Sequence, residues 1–248
     1  MPLNALIFDV DGTIAETERD GHRVAFNQAF AEAGLDWQWS VALYGKLLLV
    51  PGGKERIEHY WQQYQPQFKP PAPAAAWIAH LHQRKTLYYR DRVTQGLIPL
   101  RPGIKRLITE ARAAGLRLAI ATTSALPNAM ALIERSLEPD WFEVIAAGDI
   151  VPQKKPAPDI YTYVLQQMQL APEDCLVFED SEPGLIAAHQ AGLRTVVTVH
   201  NYTQTQDFST AQLVLDHLGE PEQPMQVLQG QAVDTPYFTL ETARSLFA

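Results

Sequence analysis

The chain has 248 residues, 46% of them hydrophobic, which is enough to bury one core and a smaller accessory domain and excludes a largely disordered protein. Its formal net charge of −8 at pH 7 argues against binding to nucleic acid or to acidic membranes, because both attract basic surfaces. A single cysteine, Cys175, excludes an internal disulfide and a cysteine-rich zinc site.

The chain opens without a charged-then-apolar signal, and no apolar run approaches the roughly 20 residues that a membrane-spanning helix needs. We therefore expect a cytoplasmic protein without a membrane partner.

The first predicted strand is followed directly by two acids. Leu6, Ile7 and Phe8 form an apolar run without polar alternation, as in a strand covered on both faces of a parallel sheet. Asp9 and Asp11 come next, where open α/β sheets bind ligands, and side chains two residues apart can point to one side. The pair is either a turn, for which Asp-Gly is a common signal, or the start of a metal and nucleophile site.

Residues from about 16 to 95 have the pattern of a helical insertion. Apolar residues recur at helical spacing from His22 to residue 33, and Gly34 follows where a glycine often ends a helix. Two further helices are predicted around residues 57–64 and 77–88. Trp37 and Trp39 are expected in the core of this insertion.

From Arg101 onward, helical stripes alternate with short apolar runs at residues 116–121, 142–146, 175–178 and 195–199. This alternation is typical of a doubly wound parallel sheet in an α/β fold. The predicted domains are an α/β core of residues 1–15 and 96–218, a helical cap of residues 16–95, and a C-terminal linker and short helix of residues 219–248 docked on the core.

Hydroxyl and ammonium groups lie at two later junctions. Thr122, Thr123 and Ser124 follow a predicted strand, where hydroxyls and free backbone N–H groups can bind an anion or can simply cap a helix. Lys155 precedes a predicted helix, where its ammonium can neutralise a phosphate and a carboxylate or can remain solvated. Neither motif decides between these alternatives alone.

A second acidic pair, Glu179 and Asp180, follows the strand predicted at 175–178. If that strand lies beside the first, up to four carboxylates meet, and their repulsion raises the pKa of some of them unless a cation lies among them. Hard carboxylate oxygens without a nearby histidine or cysteine favour Mg²⁺. The alternative is two surface acids that begin a helix, where they suit the helix dipole.

In this order the motifs resemble those of the haloacid dehalogenase-like hydrolase superfamily. They are Asp9-Val10-Asp11-Gly12-Thr13, then Thr122, then Lys155 with the Pro-Ala-Pro-Asp that follows it, then Glu179-Asp180. The insertion after the first motif resembles the cap of the β-phosphoglucomutase-like subfamily. Segments 16–22 and 52–57 are similar to those of its CbbY-type members, known as xylulose-1,5-bisphosphate phosphatases.

The resemblance implies a covalent mechanism. Asp9 would attack phosphorus and become an aspartyl phosphate, while Asp11 would protonate the leaving alkoxide and later deprotonate water. Thr122 and Lys155 would bind the oxygens of the transferring phosphoryl group, and Thr123 belongs to the expected substrate-binding set.

The resemblance also implies a metal site. Mg²⁺ would be held by Asp9, the backbone carbonyl of Asp11 and Asp180, with Glu179 supporting its water shell.

Substrate contacts are expected from the insertion as well. Lys54 and Arg56 lie in the predicted first turn of a helix, after glycines whose N–H groups are open to an anion. We therefore hypothesise that Gly53, Lys54 and Arg56 bind a second phosphate, or a polar end of the substrate, remote from Asp9. The alternative is an ordinary solvated helix start. Glu18 and His22, four residues apart, either reach the leaving group or pair with each other.

The sequence therefore predicts a Mg²⁺-dependent phosphatase acting on a small sugar phosphate, with xylulose-1,5-bisphosphate as the favoured substrate, and a monomer. A phosphomutase would use the same residues but return the phosphoryl group to the sugar. A non-catalytic metabolite-binding module is the remaining alternative.

Overall fold

The computed structural model of the chain describes residues 3–50, 52–71, 73–148 and 150–247. It divides into two compact units: an α/β unit that ends at Glu16 and resumes at Pro99, and a helical unit, Thr17–Ile98. The predicted borders, 15/16 and 95/96, differ slightly from this division. Ile98 is 3% exposed and packs beside Gly21, so the helical unit extends past the end of its last helix.

The α/β unit is built on a seven-stranded sheet with the order β3-β2-β1-β4-β5-β6-β7. The strands are β1 Ala5–Phe8, β2 Arg117–Thr122, β3 Val144–Ala147, β4 Cys175–Glu179, β5 Arg194–Thr198, β6 Leu213–Leu215 and β7 Val227–Gly230. All neighbouring pairs are parallel except β6 and β7. The predicted doubly wound sheet is confirmed.

Four details of the predicted sheet differ from the structure. Phe142 follows a short 3-10 turn and precedes β3, and Val199 lies just beyond the end of β5. Strand β6 was not predicted, because it has three residues only. The antiparallel strand β7 was not predicted either, because Leu228, Gln229 and Gly230 are exposed and carry no apolar run.

Helices of the α/β unit flank the sheet and bury its apolar faces. They are α5 Ile104–Ala113, α6 Leu126–Ser136, α7 Asp159–Met168, α8 Glu182–Gln190 and α9 Leu240–Ser245. Leu6, Ile7 and Phe8 of β1 are fully buried, as their continuous apolar run predicts. In the C-terminal segment, Phe238 is buried with its ring edge-on to Phe178, at 5.5 Å between centroids.

The helical unit begins with a π-helical segment, Thr17–His22, and continues through four α-helices. These are α1 Arg23–Glu32, α2 Val41–Leu47, α3 Gly53–Tyr64 and α4 Ala74–Thr94. Trp37 and Trp39 are buried as expected, within a cluster of aromatic rings. Helix α2 was not predicted, because seven residues are too few to show a helical period. Within the described ranges, no helix has the length and apolar character needed to cross a bilayer.

Candidate active site

The two acidic motifs meet because their strands are neighbours. Strand β4 lies directly beside β1, with Phe178 in register with Phe8, and the backbone N–H of Asp9 donates to the carbonyl of Phe178 at 3.0 Å. Parallel strands end at the same edge of a sheet, so Asp9 and the acids at the end of β4 lie side by side at that edge. Of the four carboxylates that were predicted to converge, those of Asp9, Glu179 and Asp180 form one group, whereas Asp11 contacts Ser124.

The ammonium of Lys155 bridges two of these acids. Its Nζ lies 2.6 Å from Oδ1 of Asp9, 2.6 Å from Oε1 of Glu179 and 2.9 Å from the carbonyl oxygen of Ala121. Burial acts to lower the pKa of Lys155, but the carboxylates of Asp9 and Glu179 outweigh it and raise that pKa above its ordinary value. Lys155 is therefore a permanent cation within the acidic site.

The acidic site can hold a metal ion. One carboxylate oxygen from each of Asp9, Glu179 and Asp180 lies within 4.8 Å of the others, and all three residues are buried. Burial, followed by the charge of Glu179, raises the pKa of Asp180, and burial likewise raises the pKa of Asp9. Three carboxylates against one ammonium leave a negative surplus, and their hard oxygens suit a divalent cation such as Mg²⁺.

Two glycines let the backbone approach these carboxylates. Gly12 has φ +89°, and a Cβ there would lie 2.7 Å from Nε2 of His200 and would overlap the carboxylate of Asp180. A Cβ at Gly184, in the first turn of α8, would collide with the carboxylate of Glu179. These positions explain why glycine follows each acidic pair.

Asp11 lies beside the hydroxyl residues that follow β2. Its Oδ2 accepts a short hydrogen bond from Oγ of Ser124. Thr122 is 1% exposed, and its Oγ1 accepts from the backbone N–H of Ser124 at 3.2 Å. Thr123, which was predicted to bind substrate, is half-buried just beyond the strand. Ser124 follows Thr122 and Thr123 in the sequence but was not predicted to belong to the site.

Tyr161 and His200 also contact the acidic site, although neither was predicted to belong to it. The hydroxyl of Tyr161 donates to Oε1 of Glu179 at 2.5 Å, and Nε2 of His200 lies 2.8 Å from Oδ2 of Asp180. His200 follows β5 by two residues, so the strand-exit argument that found Asp180 could have found it. Tyr161 lies one turn into α7, where a tyrosine looks like an ordinary core residue.

Arg101 is a further residue near the site that was not predicted to belong to it. It is 5% exposed, and its guanidinium donates to the carbonyl oxygens of Gly12, Thr198, Val199 and Asp216. The loop of the first motif and the end of β5 are thereby held by one side chain. Nε of Arg101 also lies 3.4 Å from Oε1 of Glu16. The four carbonyl acceptors are backbone atoms, so no residue pattern in the sequence reveals them.

In the helical unit, Tyr44 connects two of the predicted substrate-binding residues. Its hydroxyl donates to Oε2 of Glu18 at 2.6 Å and accepts from Arg56 at 3.0 Å. Arg56 is 9% exposed and also donates to the carbonyl oxygens of Leu47 and Val50. Arg56 thus holds the segment that follows α2, in addition to any role with a ligand.

His22, the other predicted member of this group, contacts Lys85. Nδ1 of His22 lies 2.9 Å from Nζ of Lys85, and its ring stacks on Tyr89 at 4.0 Å. Burial, and then the charge of Lys85, lower the pKa of His22 well below 6.5. A neutral His22 therefore accepts a hydrogen bond from the Lys85 ammonium. Glu18 and His22 have different partners, since the π-helical segment changes the spacing that an α-helix would give.

Gly53 and Lys54 begin α3, as predicted. Lys54 is exposed, while a Cβ at Gly53 would collide with the ring of His82. The basic residues of this helix start thus divide into an exposed lysine and a buried arginine, Arg56.

Sequence comparison identifies the family. A family model described as haloacid dehalogenase-like hydrolase matches residues 3–192. The chain is 50% identical to the plasmid protein CbbY of Cupriavidus necator over 226 residues, which cover 90% of this chain and 89% of that protein. It is 31% identical to a phosphorylated carbohydrates phosphatase of Thermotoga maritima over 230 residues, 92% of this chain and 99% of that protein.

Structural comparison agrees with the sequence matches. A crystal structure of a CbbY variant from Rhodobacter sphaeroides, in complex with xylulose-1,5-bisphosphate, superposes with a TM-score of 0.73 at 45% identity. The match covers 87% of this chain and 94% of that one. The CbbY-type resemblance is confirmed, and the chain belongs to the haloacid dehalogenase-like hydrolases, in which it is a phosphatase.

Proposed function

We propose that the chain is a Mg²⁺-dependent phosphatase that hydrolyses a small sugar phosphate through an aspartyl phosphate on Asp9. The observation that carries the proposal is the bridge from Lys155 to Asp9 and Glu179, beside Asp180, at adjoining strand ends. This arrangement provides a nucleophile, a fixed cation and a cluster of metal-binding oxygens within one buried site.

The proposed reaction has two half-reactions. In the first, a carboxylate oxygen of Asp9 forms a bond to phosphorus while the bond from phosphorus to the sugar oxygen breaks, and Asp11 gives its proton to that oxygen. In the second, Asp11 takes a proton from water as the water attacks the phosphoryl group, which releases inorganic phosphate and restores Asp9. The hydrogen bond from Ser124 supports this role by fixing the Asp11 carboxylate.

Other residues of the chain orient the reacting groups. The Lys155 ammonium holds Oδ1 of Asp9 and is close enough to bind a phosphoryl oxygen beside it. The hydroxyl of Thr122, at the end of β2, is proposed to bind another phosphoryl oxygen. Bound to Asp9, Asp180 and the carbonyl of Asp11, Mg²⁺ would supply positive charge to the transferring phosphoryl group. Glu179 accepts from Lys155, Tyr161 and the backbone N–H of Asp180, which favours the supporting role implied for it.

We propose xylulose-1,5-bisphosphate as the substrate, because a relative with 45% identity has been crystallised with this compound. Glu18, His22, Gly53, Lys54 and Arg56 remain the proposed contacts of the helical unit. The basic side chains among them suit a second phosphate, and Glu18 suits a sugar hydroxyl. A monomeric, cytoplasmic enzyme stays a prediction.

The test is phosphate release from a panel of sugar mono- and bisphosphates, with and without Mg²⁺. We expect metal-dependent release that is fastest with xylulose-1,5-bisphosphate, and a covalent phosphoryl group on Asp9 in rapidly quenched samples. An isomerised sugar phosphate without free phosphate would instead indicate a mutase. Absence of metal-dependent turnover on the whole panel would contradict the proposal.

A further inference from the structure

We propose that His200 is a positioning residue that fixes the carboxylate of Asp180 for metal binding, by donating a hydrogen bond from Nε2. The inference rests on the Mg²⁺ site of the proposed function and assigns a role to a residue outside the four motifs. Among the described residues, the group whose ligand atoms lie within 4.8 Å of one another consists of Asp9, Glu179 and Asp180, so His200 is not assigned as a metal ligand.

The contact is buried and well placed. Nε2 of His200 lies 2.8 Å from Oδ2 of Asp180, and the side chains are 5% and 8% exposed, respectively. The other oxygen, Oδ1, accepts from Oγ1 of Thr13 at 3.3 Å. Each oxygen of Asp180 thus has one protein donor, which fixes the plane of the carboxylate and leaves a lone pair on each oxygen for a cation.

The hydrogen bonds of the ring define its tautomer. Nδ1 of His200 accepts from the backbone N–H of Tyr202 at 3.3 Å, so this nitrogen carries no proton. The proton of the neutral imidazole is then on Nε2, which donates it to Asp180. A neutral donor orients the carboxylate without neutralising it, and the full negative charge of Asp180 remains available to a metal ion.

The backbone around His200 is held from both sides. The N–H of His200 donates to Oγ1 of Thr203 at 3.1 Å, and the carbonyl of Val199 accepts from Arg101 at 2.6 Å. Gly12 packs against Nε2 so closely that a Cβ there would lie 2.7 Å from it. The ring is therefore confined to the position from which it reaches Asp180.

Loss of such an outer donor typically weakens metal binding by about 10–100-fold, because the ligand loses its fixed orientation. A protonated His200 would have the opposite effect. It would compete with the metal for Asp180, and its removal would strengthen metal binding. The direction of the change in affinity therefore separates a positioning donor from a competing cation.

The test compares metal binding in three variants of the full-length protein. In His200→Gln the side-chain amide can place a donor where Nε2 lies, whereas His200→Leu retains bulk but has no donor. His189→Gln, at an exposed position near the end of α8, is the matched control. Binding of Mn²⁺ to the substrate-free protein is measured from the electron paramagnetic resonance signal of free Mn²⁺, and Mg²⁺ by competition.

We expect His200→Leu to bind Mn²⁺ about 10–100-fold more weakly and His200→Gln to remain within about threefold of the unaltered protein. Saturating Mg²⁺ should restore most of the kcat of His200→Leu although its metal affinity stays low, because the chemistry of Asp9 and Asp11 is retained. The His189→Gln control should bind as the unaltered protein does.

Unchanged or stronger Mn²⁺ binding by folded His200→Leu overturns the inference while leaving the proposed phosphatase in place. Absence of Mn²⁺ binding by the unaltered protein overturns the metal site of the proposed function, and this inference with it. If the leucine variant does not fold, His200→Asn replaces it, because its amide mimics Nδ1 rather than Nε2. Equal affinities of the Gln and Asn variants then overturn the inference.

Discussion

The α/β unit and the helical unit each bury charged side chains, but the α/β unit buries an excess of acidic groups and the helical unit an excess of basic groups. In the α/β unit, Asp9, Glu179 and Asp180 surround the ammonium of Lys155, and burial raises the pKa of two of the acids. A site of this kind is stabilised by an added cation, since each carboxylate repels the others.

In the helical unit the surplus is basic. Lys85 and Arg56 are buried near His22, and burial with these charges lowers the pKa of that histidine, while Glu18 provides a carboxylate through Tyr44. Such a group is stabilised by an added anion. Each unit therefore buries an excess of one charge and is stabilised by a ligand of the opposite sign, a metal ion in the α/β unit and a phosphate in the helical unit.

The largest effect is expected when the nucleophile of the α/β unit is removed. Asp9→Asn should lower phosphate release by about 10⁴-fold or more, since loss of a covalent nucleophile removes the whole two-step pathway. The measurement is steady-state phosphate release, together with the mass of quenched protein, which should show no phosphoryl adduct. Asp234→Asn, at an exposed position, is the control and should retain full activity. Retained turnover in Asp9→Asn would reject the covalent mechanism.

The second effect concerns the buried cation. Lys155→Met should lower the free energy of unfolding by about 3–5 kcal/mol at neutral pH, because Asp9 and Glu179 lose their buried partner. Denaturant unfolding measures the change, and Mg²⁺ should restore part of it if the acidic surplus is what destabilises the variant. Lys105→Met, at an exposed position in α5, provides the control and should unfold as the unaltered protein does. If Mg²⁺ did not change the free energy of unfolding of Lys155→Met, an acidic surplus in the α/β unit would not be what destabilises the variant.

The two units also differ in how well their sites could be predicted. In the α/β unit, the apolar run of Leu6 to Phe8 defines a strand, and strands that neighbour each other bring Asp9 and Asp180 to one edge whatever the loops do. His200 obeys the same rule, since it directly follows the run predicted at 195–199, but it was not selected because a single histidine there has no second acid beside it in the sequence.

The helical unit has no comparable rule. Glu18 belongs to a π-helical segment and its partner Tyr44 to the short helix α2, and neither element has a clear hydrophobic period in the sequence. Arg56 was predicted at the start of α3, but its bonds to the carbonyls of Leu47 and Val50 depend on loop geometry alone. Contacts with backbone atoms leave no pattern of residue types to recognise.

The third prediction concerns substrate recognition by the helical unit. Lys54→Ala should raise KM for xylulose-1,5-bisphosphate by about 20-fold, within the 1.5–3 kcal/mol expected for hydrogen bonds to charged groups. KM for a sugar monophosphate and both kcat values should change little, because the second phosphate is remote from Asp9 in the proposed function. Lys46→Ala in α2, also exposed, is the matched control. Equal changes for the two substrates would remove Lys54 from the second phosphate site.

The smallest effect is the pH dependence that the buried histidine confers. The pKa of His22 is well below 6.5 in the folded chain and near 6.5 when unfolded, so below pH 6.5 the unfolded state binds more protons. Stability should therefore fall as pH decreases from 6.5, by up to about 1.4 kcal/mol for each pH unit, until the folded pKa is reached. In His22→Gln this component should vanish, whereas exposed His80→Gln should keep it, as urea unfolding at pH 7.5 and 5.5 would measure. If His22→Gln and the unaltered chain lost equal stability, the basic surplus around His22 would not be what keeps it neutral.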